Sequence, residues 1–191
     1  MIDILGWFWT SAILVIAVGT VVLLIAIYNQ LVRLRQNVRQ GVADIDAQLR
    51  QRHDLIPNLV EAVKGYAGHE ASTLEAVITA RNAAAKGDAP GGTSEAQLKL
   101  ALDNLLALGE AYPDLKASAN FQSLQNELGD VEDNLAAARR ALNAAAARFN
   151  AARESFPAVL FAGMLGFGEA DFSRLAESEK GVVDQTPKVA F

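Results

Sequence analysis

Cysteine is absent from the 191 residues, which excludes a disulfide framework, a thiolate nucleophile and a thiolate metal site. Histidine occurs only as His53 and His69, sixteen positions apart. Metal-binding histidines on one helix face stand three to five apart, with carboxylates turned the same way. His53 beside Asp54 reads more simply as a hydrogen-bonded turn histidine. No glycine-rich phosphate loop is present, and no serine has a histidine and an acid at the spacing of a nucleophilic triad. Asp44 and Asp46 would face different sides of a helix and cannot pair. Ser72, Thr73, Ser94 and Ser118 fall near predicted helix starts, where hydroxyls cap. The sequence therefore offers no catalytic residue, no metal ligand set and no cofactor site, and the expectation is a protein without enzymatic activity.

Glycine and proline are few, 14 and 5, and gathered in a few places. Alanine is abundant, and β-branched or alternating runs are scarce beyond the first 28 residues. That composition predicts an all-α chain. The formal net charge is −5, with basic residues dense early and acids spread later. Nucleic-acid binding would need a basic patch elsewhere, so no nucleic acid is expected as partner.

The longest absence is of charge. Residues 4–28 carry no ionisable group except Tyr28, and at 1.5 Å per residue they can cross a hydrocarbon core of about 30 Å. Backbone groups in lipid must pair within the segment, so the run is expected to be helical. Trp7 and Trp9 at one end and Tyr28 at the other suit the headgroup level. A cleaved signal peptide would need a basic start, a shorter apolar core and a small-residue cleavage site, and Ile27-Tyr28-Asn29-Gln30 supplies none. Arg33, Arg35 and Arg39 follow the run, whereas no Lys or Arg precedes it. Positive charge stays on the cytoplasmic side, which predicts an N-terminus outside, a cytoplasmic body and arginines on anionic headgroups.

Beyond the run, Tyr28, Leu31, Val38, Val42, Ile45, Leu49, Ile56, Leu59, Val63 and Tyr66 recur at helical spacing. Arg35 and Arg52 occupy positions of the same register, so the seam is not wholly dry. Proline inside a helix removes a hydrogen bond and clashes with the preceding turn, at a cost of about 3 kcal/mol. Pro57, with Asp54 as a cap, predicts a turn at residues 53–56 and a second helix from 57 to about 85. Because the register continues across the proline, one kinked helix is the alternative. Breakers at residues 86–93 mark a loop. A third helix is expected from Ser94, with Gln97 completing a capping box, to about Ala111, where Pro113 intervenes.

The fourth helix is expected to start between Asp114 and Asn120. Phe121, Leu124, Leu128, Val131, Leu135, Ala138, Leu142, Ala145, Phe149, Ala152 and Phe156 form a sustained heptad pattern, as in coiled-coil packing. Four helices with single stripes give an up-and-down four-helix bundle that continues from the transmembrane helix. Residues 157–168 are apolar on all sides and too short to span. The expected organisation is thus an anchor at 1–28, a cytoplasmic bundle at 29–156, an apolar interfacial or docking segment at 157–168 and an irregular tail at 169–191.

Several stretches together resemble the LemA family. They are Tyr28-Asn29-Gln30-Leu31-Val32, Asp44-Ile45-Asp46-Ala47-Gln48-Leu49, and Arg52-His53-Asp54-Leu55-Ile56-Pro57-Asn58-Leu59-Val60-Glu61. Val63-Lys64-Gly65-Tyr66, His69-Glu70, Ala111-Tyr112-Pro113-Asp114-Leu115-Lys116, Phe156-Pro157 and Pro187-Lys188-Val189-Ala190-Phe191 complete the set. The resemblance implies a bacterial inner-membrane protein with one N-terminal span and a helical body, and it implies no activity or cofactor. Gly41-Val42-Ala43 stands where the family often has Ala-Trp, so looser packing is expected there.

Asn58, Lys64 and Gly65 show no packing duty in the sequence. They either fix the turn and seat the second helix on the fourth, or make a subunit or partner contact. Val159, Phe161, Leu165 and Phe167 are expected to dock on a neighbouring copy or to dip into the membrane interface. The leading expectation is a single-pass membrane protein whose bundle forms a homo-oligomeric scaffold. The other is a membrane-tethered adaptor or sensor that holds an unidentified protein partner.

Overall fold

The computed structural model of the protein describes residues 2–86 and 92–168, with side chains from Trp7 onward. Helix α1 runs without interruption over Ile2–Lys64. It is followed by α2 (Ala71–Ala85), α3 (Thr93–Ala111), the single turn α4 (Pro113–Lys116) and α5 (Ala119–Glu154), and then by a 3-10 turn at Ala158–Leu160. No strand occurs among the described residues. The tail expected at 169–191 lies outside them, as does most of the loop expected at 86–93.

Two expectations about helix boundaries are corrected. No turn forms at residues 53–56, and the second helix does not begin at Pro57, because α1 carries the proline in its interior. The reason is a compensating bond from another helix. Pro57 has no N–H for the carbonyl four residues back, and that acceptor, His53 O, instead receives Arg81 Nε–H of α2 at 2.9 Å. The chain breaks later, at residues 65–70, where Ala67 N–H and Tyr66 N–H close on Val63 O at 2.8 and 3.0 Å. The capping box is also replaced: Gly92, not Ser94, precedes α3, and it makes no side-chain cap bond.

The described residues fall into two compact units, 2–40 with 144–168, and 41–143. The second is the bundle. One core joins Ile56, Leu59 and Val63 of α1, Leu74 and Val77 of α2, Leu98, Leu102 and Leu105 of α3, Leu115 of α4, and Phe121, Leu124 and Leu128 of α5. Ile45, Leu49, Val131, Leu135 and Leu142 are buried as well, so the predicted stripes of α1 and α5 face inward over most of their length, whereas Tyr28 and Tyr66, expected in the α1 stripe, are exposed. The four long helices thus form a four-helix bundle. Gly41 departs from its expectation of loose packing: a Cβ there would meet the Leu142 Cα and Cβ at 3.1 Å. The missing side chain is what admits the facing helix so closely.

In the first unit, Ile27 and Leu31 of α1, Phe149 of α5, and Ala158, Ala162 and Phe167 of the following turns make a separate small core. The heptad pattern of α5 stops at the helix end, and Phe156, expected to continue it, is exposed.

Candidate functional site

The polar centre of the bundle is a clamp around Arg52. Its side chain is only 3 % exposed, and it pairs with Glu95 of α3 (7 %) and, through Nη1 at 2.7 Å, with Glu132 Oε1 of α5. His53 Nε2 lies 3.0 Å from the other oxygen of Glu95. A guanidinium in an apolar register can be tolerated only if carboxylates reach it, since an unpaired buried charge is very costly. Three helices are therefore tied at one level by charge-assisted bonds, which are stronger than neutral ones. Both Glu95 oxygens are engaged by protein groups, so the arrangement ties the helices as a structural lock. His53, expected on a turn, sits within α1 as part of this lock. At the far end of the bundle, Tyr112 Oη–H donates to Glu70 Oε1 at 3.0 Å. That bond, with a contribution from burial and from the negative charge of Glu70, raises the tyrosine pKa above its ordinary value.

Sequence reasoning placed Arg52 in the seam but missed Glu95, Glu132 and Arg81. The available signal was Arg52 itself, since a cation at a core position demands acids from other helices. Which acids answer depends on helix pairing, and Glu95 sits in the first turn of α3, where an acid would ordinarily be assigned to the helix dipole.

α1 is long and apolar enough to cross a membrane. Its large side chains from Trp7 through Ile25, Trp9 included, are exposed apart from the half-buried Leu24. Its few hydroxyls are bonded within the helix: Thr10 and Ser11 donate to Trp7 O at 3.0 and 2.8 Å, and Thr20 donates to Ile16 O at 2.8 Å. Arg33 and Arg39 are exposed and Arg35 is half-buried, with its guanidinium 4.9 Å from the centre of the Phe167 ring. Tyr28 also meets Phe167, edge to face, at 5.5 Å.

The remaining candidates separate into inward and outward sets. Asn58, Lys64 and Gly65 are exposed, together with Asp54, Pro57 and Glu61, which form one strip at three- and four-residue spacing. Val159 and Leu165 are exposed and Phe161 is half-buried. Phe167 is not available at the surface: at 1 % exposure it is the anchor of its own unit. A shallow groove of about 230 Å³ lies between α3 and α5, bordered by Lys99, Asp103, Leu106, Gln125, Gly129 and Glu132.

An exposed apolar span leading into a clamped helical bundle defines a membrane-associated helical-bundle protein. The chain belongs to the LemA family, which matches residues 41–191. Protein LemA of Metamycoplasma hominis is 29 % identical over 126 residues, which cover 64 % of this chain and 57 % of that protein. Magnetosome protein MamQ of Magnetospirillum gryphiswaldense is 24 % identical over 173 residues, 76 % of this chain and 64 % of the relative. Magnetosome protein MamQ 2 of Paramagnetospirillum magneticum is 25 % identical over 193 residues, 84 % and 71 %. The chain thus spans less than two thirds of the first two relatives. None of these names carries an enzymatic activity.

Proposed function

We propose that this protein is a single-pass, non-catalytic scaffold of the bacterial inner membrane that assembles with copies of itself. Its N-terminus lies outside and its bundle in the cytoplasm, as the arginines after the span favour. The observation that carries the reading is the strip Asp54, Pro57, Asn58, Glu61, Lys64 and Gly65. In the densest part of the family-like sequence, the fold uses Arg52, Ile56, Leu59, Val60 and Val63 internally and leaves this strip on the surface. A contact between copies gives the strip a role. The test is the mass of the full-length protein extracted in native lipid, read by native mass spectrometry. A defined multi-copy particle is expected, and Asn58→Arg with Glu61→Arg should reduce it to single copies. A wild-type protein of one copy per particle would overturn the reading. The groove between α3 and α5 favours a second reading, an adaptor holding an extended segment of another protein. In that case crosslinking in cells would trap a different chain, and the isolated protein would be monomeric.

A further inference from the structure

Among the described residues, the turns after α5 present an exposed apolar surface. From Ser155 to Gly168 the sequence carries no charge, and its backbone is largely paired within itself. Val159 N–H donates to Ser155 O at 2.9 Å, Ala162 N–H to Ala158 O at 2.8 Å, Leu165 N–H to Phe161 O at 2.9 Å and Phe167 N–H to Ala162 O at 2.9 Å. Gly166, at φ 75°, supplies the left-handed residue that turns Phe167 back inward. A segment that closes its own hydrogen bonds meets the chief requirement for entering an apolar phase.

Its side chains then sort in two directions. Ala158, Ala162 and Phe167 pack inward on Ile27, Leu31 and Phe149. Phe156, Leu160 and Met164 point outward, 80, 59 and 88 % exposed. Scattered apolar side chains on a surface need no explanation, but a cluster of them on an uncharged segment does.

What covers this cluster follows from where it is fastened. Ile27 belongs to the last turn of the uncharged run, and Tyr28, the next residue, holds Phe167. The outward side chains therefore belong to the same compact unit as the exposed span, fastened at its end. On that unit Arg33 and Arg39 are also exposed, and cations immediately beyond a span attract anionic lipid headgroups. Exposed apolar tips and exposed cations on one unit match the chemistry of a bilayer surface, acyl chains next to phosphates.

We propose that residues 156–168 form a membrane-interface foot: Phe156, Leu160 and Met164 insert among the acyl chains beside the span, while Arg33 and Arg39 hold anionic phospholipid headgroups. The foot gives the chain a second lipid contact, distant in sequence from the first. It depends on the span lying in a membrane and not on self-assembly.

Because the chain has no cysteine, single sites can be labelled cleanly. Met164→Cys, Leu160→Cys and, as a bundle control, Asn134→Cys would each carry a nitroxide. The full-length protein is placed, one copy per disc, in nanodiscs of phosphatidylethanolamine and phosphatidylglycerol. Collisions with oxygen, which partitions into lipid, are compared with collisions with a water-soluble nickel chelate. At positions 160 and 164 the foot is expected to show loss of nickel collisions and gain of oxygen collisions, with the reverse at 134. Nickel access to 164 in single-copy discs would overturn the proposal. So would protection that arises only in multi-copy discs with dipolar broadening between labels, which would identify a second copy as the cover. Arg33→Gln with Arg39→Gln should shift the label at 164 towards water, and an unchanged depth would overturn the headgroup part.

Discussion

Arg81 Nε–H donates to the carbonyl oxygen of His53 at 2.9 Å, the acceptor that Pro57 leaves without an intrahelical donor. α2 thereby repairs the defect that lets α1 continue as one helix. Arg81→Ala is expected to cost about 1–3 kcal/mol, the penalty for stranding a partly buried acceptor. Pro57→Ala restores an N–H at the right place and should stabilise by up to about 3 kcal/mol. In the Pro57→Ala background the loss from Arg81→Ala should shrink towards zero. Urea unfolding of the four proteins in detergent measures that coupling, and additive effects would contradict the repair.

The Arg52 clamp leads to a contrast between breaking and replacing. Arg52→Met leaves Glu95 and Glu132 without their cation and is expected to cost about 3–5 kcal/mol. Arg52→Met with Glu95→Leu and Glu132→Leu should recover most of that loss, because Arg52 Nε is itself buried without a partner and the clamp is incompletely satisfied. Thermal unfolding followed by circular dichroism would show the single variant well below the triple.

A Cβ at Gly41 would meet Leu142 at 3.1 Å, tighter than an ordinary van der Waals contact. Gly41→Val is expected to destabilise the bundle by about 1–3 kcal/mol through overpacking, even though it removes a glycine from a helix. Pairing it with Leu142→Ala should return part of the loss. Denaturant midpoints of the single and double variants decide this.

Tyr112 links stability to alkaline pH. Its folded pKa is raised by the bond to Glu70, so the neutral phenol is favoured in the native state. Its contribution is full below the ordinary tyrosine pKa of about 10 and is lost as pH rises through the higher folded value. Ultraviolet difference titration of the protein against Tyr112→Phe should show a late-titrating tyrosine. Glu70→Gln should bring that titration back towards the ordinary range. An unchanged curve in Glu70→Gln would remove Glu70 as the cause.

Several features were legible in the chain because they depend on local spacing. The uncharged run, the stripe through Ile45, Leu49, Ile56 and Leu59, and the heptads of α5 from Phe121 to Phe149 each repeat within one helix and need no knowledge of a partner. Pro57 was misread for the complementary reason. Local rules see the lost hydrogen bond, whereas the compensating donor lies on Arg81, a residue of another helix. Gly41 behaves alike: its effect depends on Leu142 approaching from α5.

The sequence by itself determined an all-α chain with an apolar span, one inward stripe per long helix, and no thiol chemistry, since composition and periodicity set these residue by residue. Tertiary structure alone decided that Arg52 is answered by Glu95 and Glu132, and that α1 passes through its proline. It alone also turned Phe167 inward while leaving Phe156, Leu160 and Met164 outside. Each of those outcomes turns on which side chains distant in sequence come within bonding or contact distance, and no spacing along the chain encodes that.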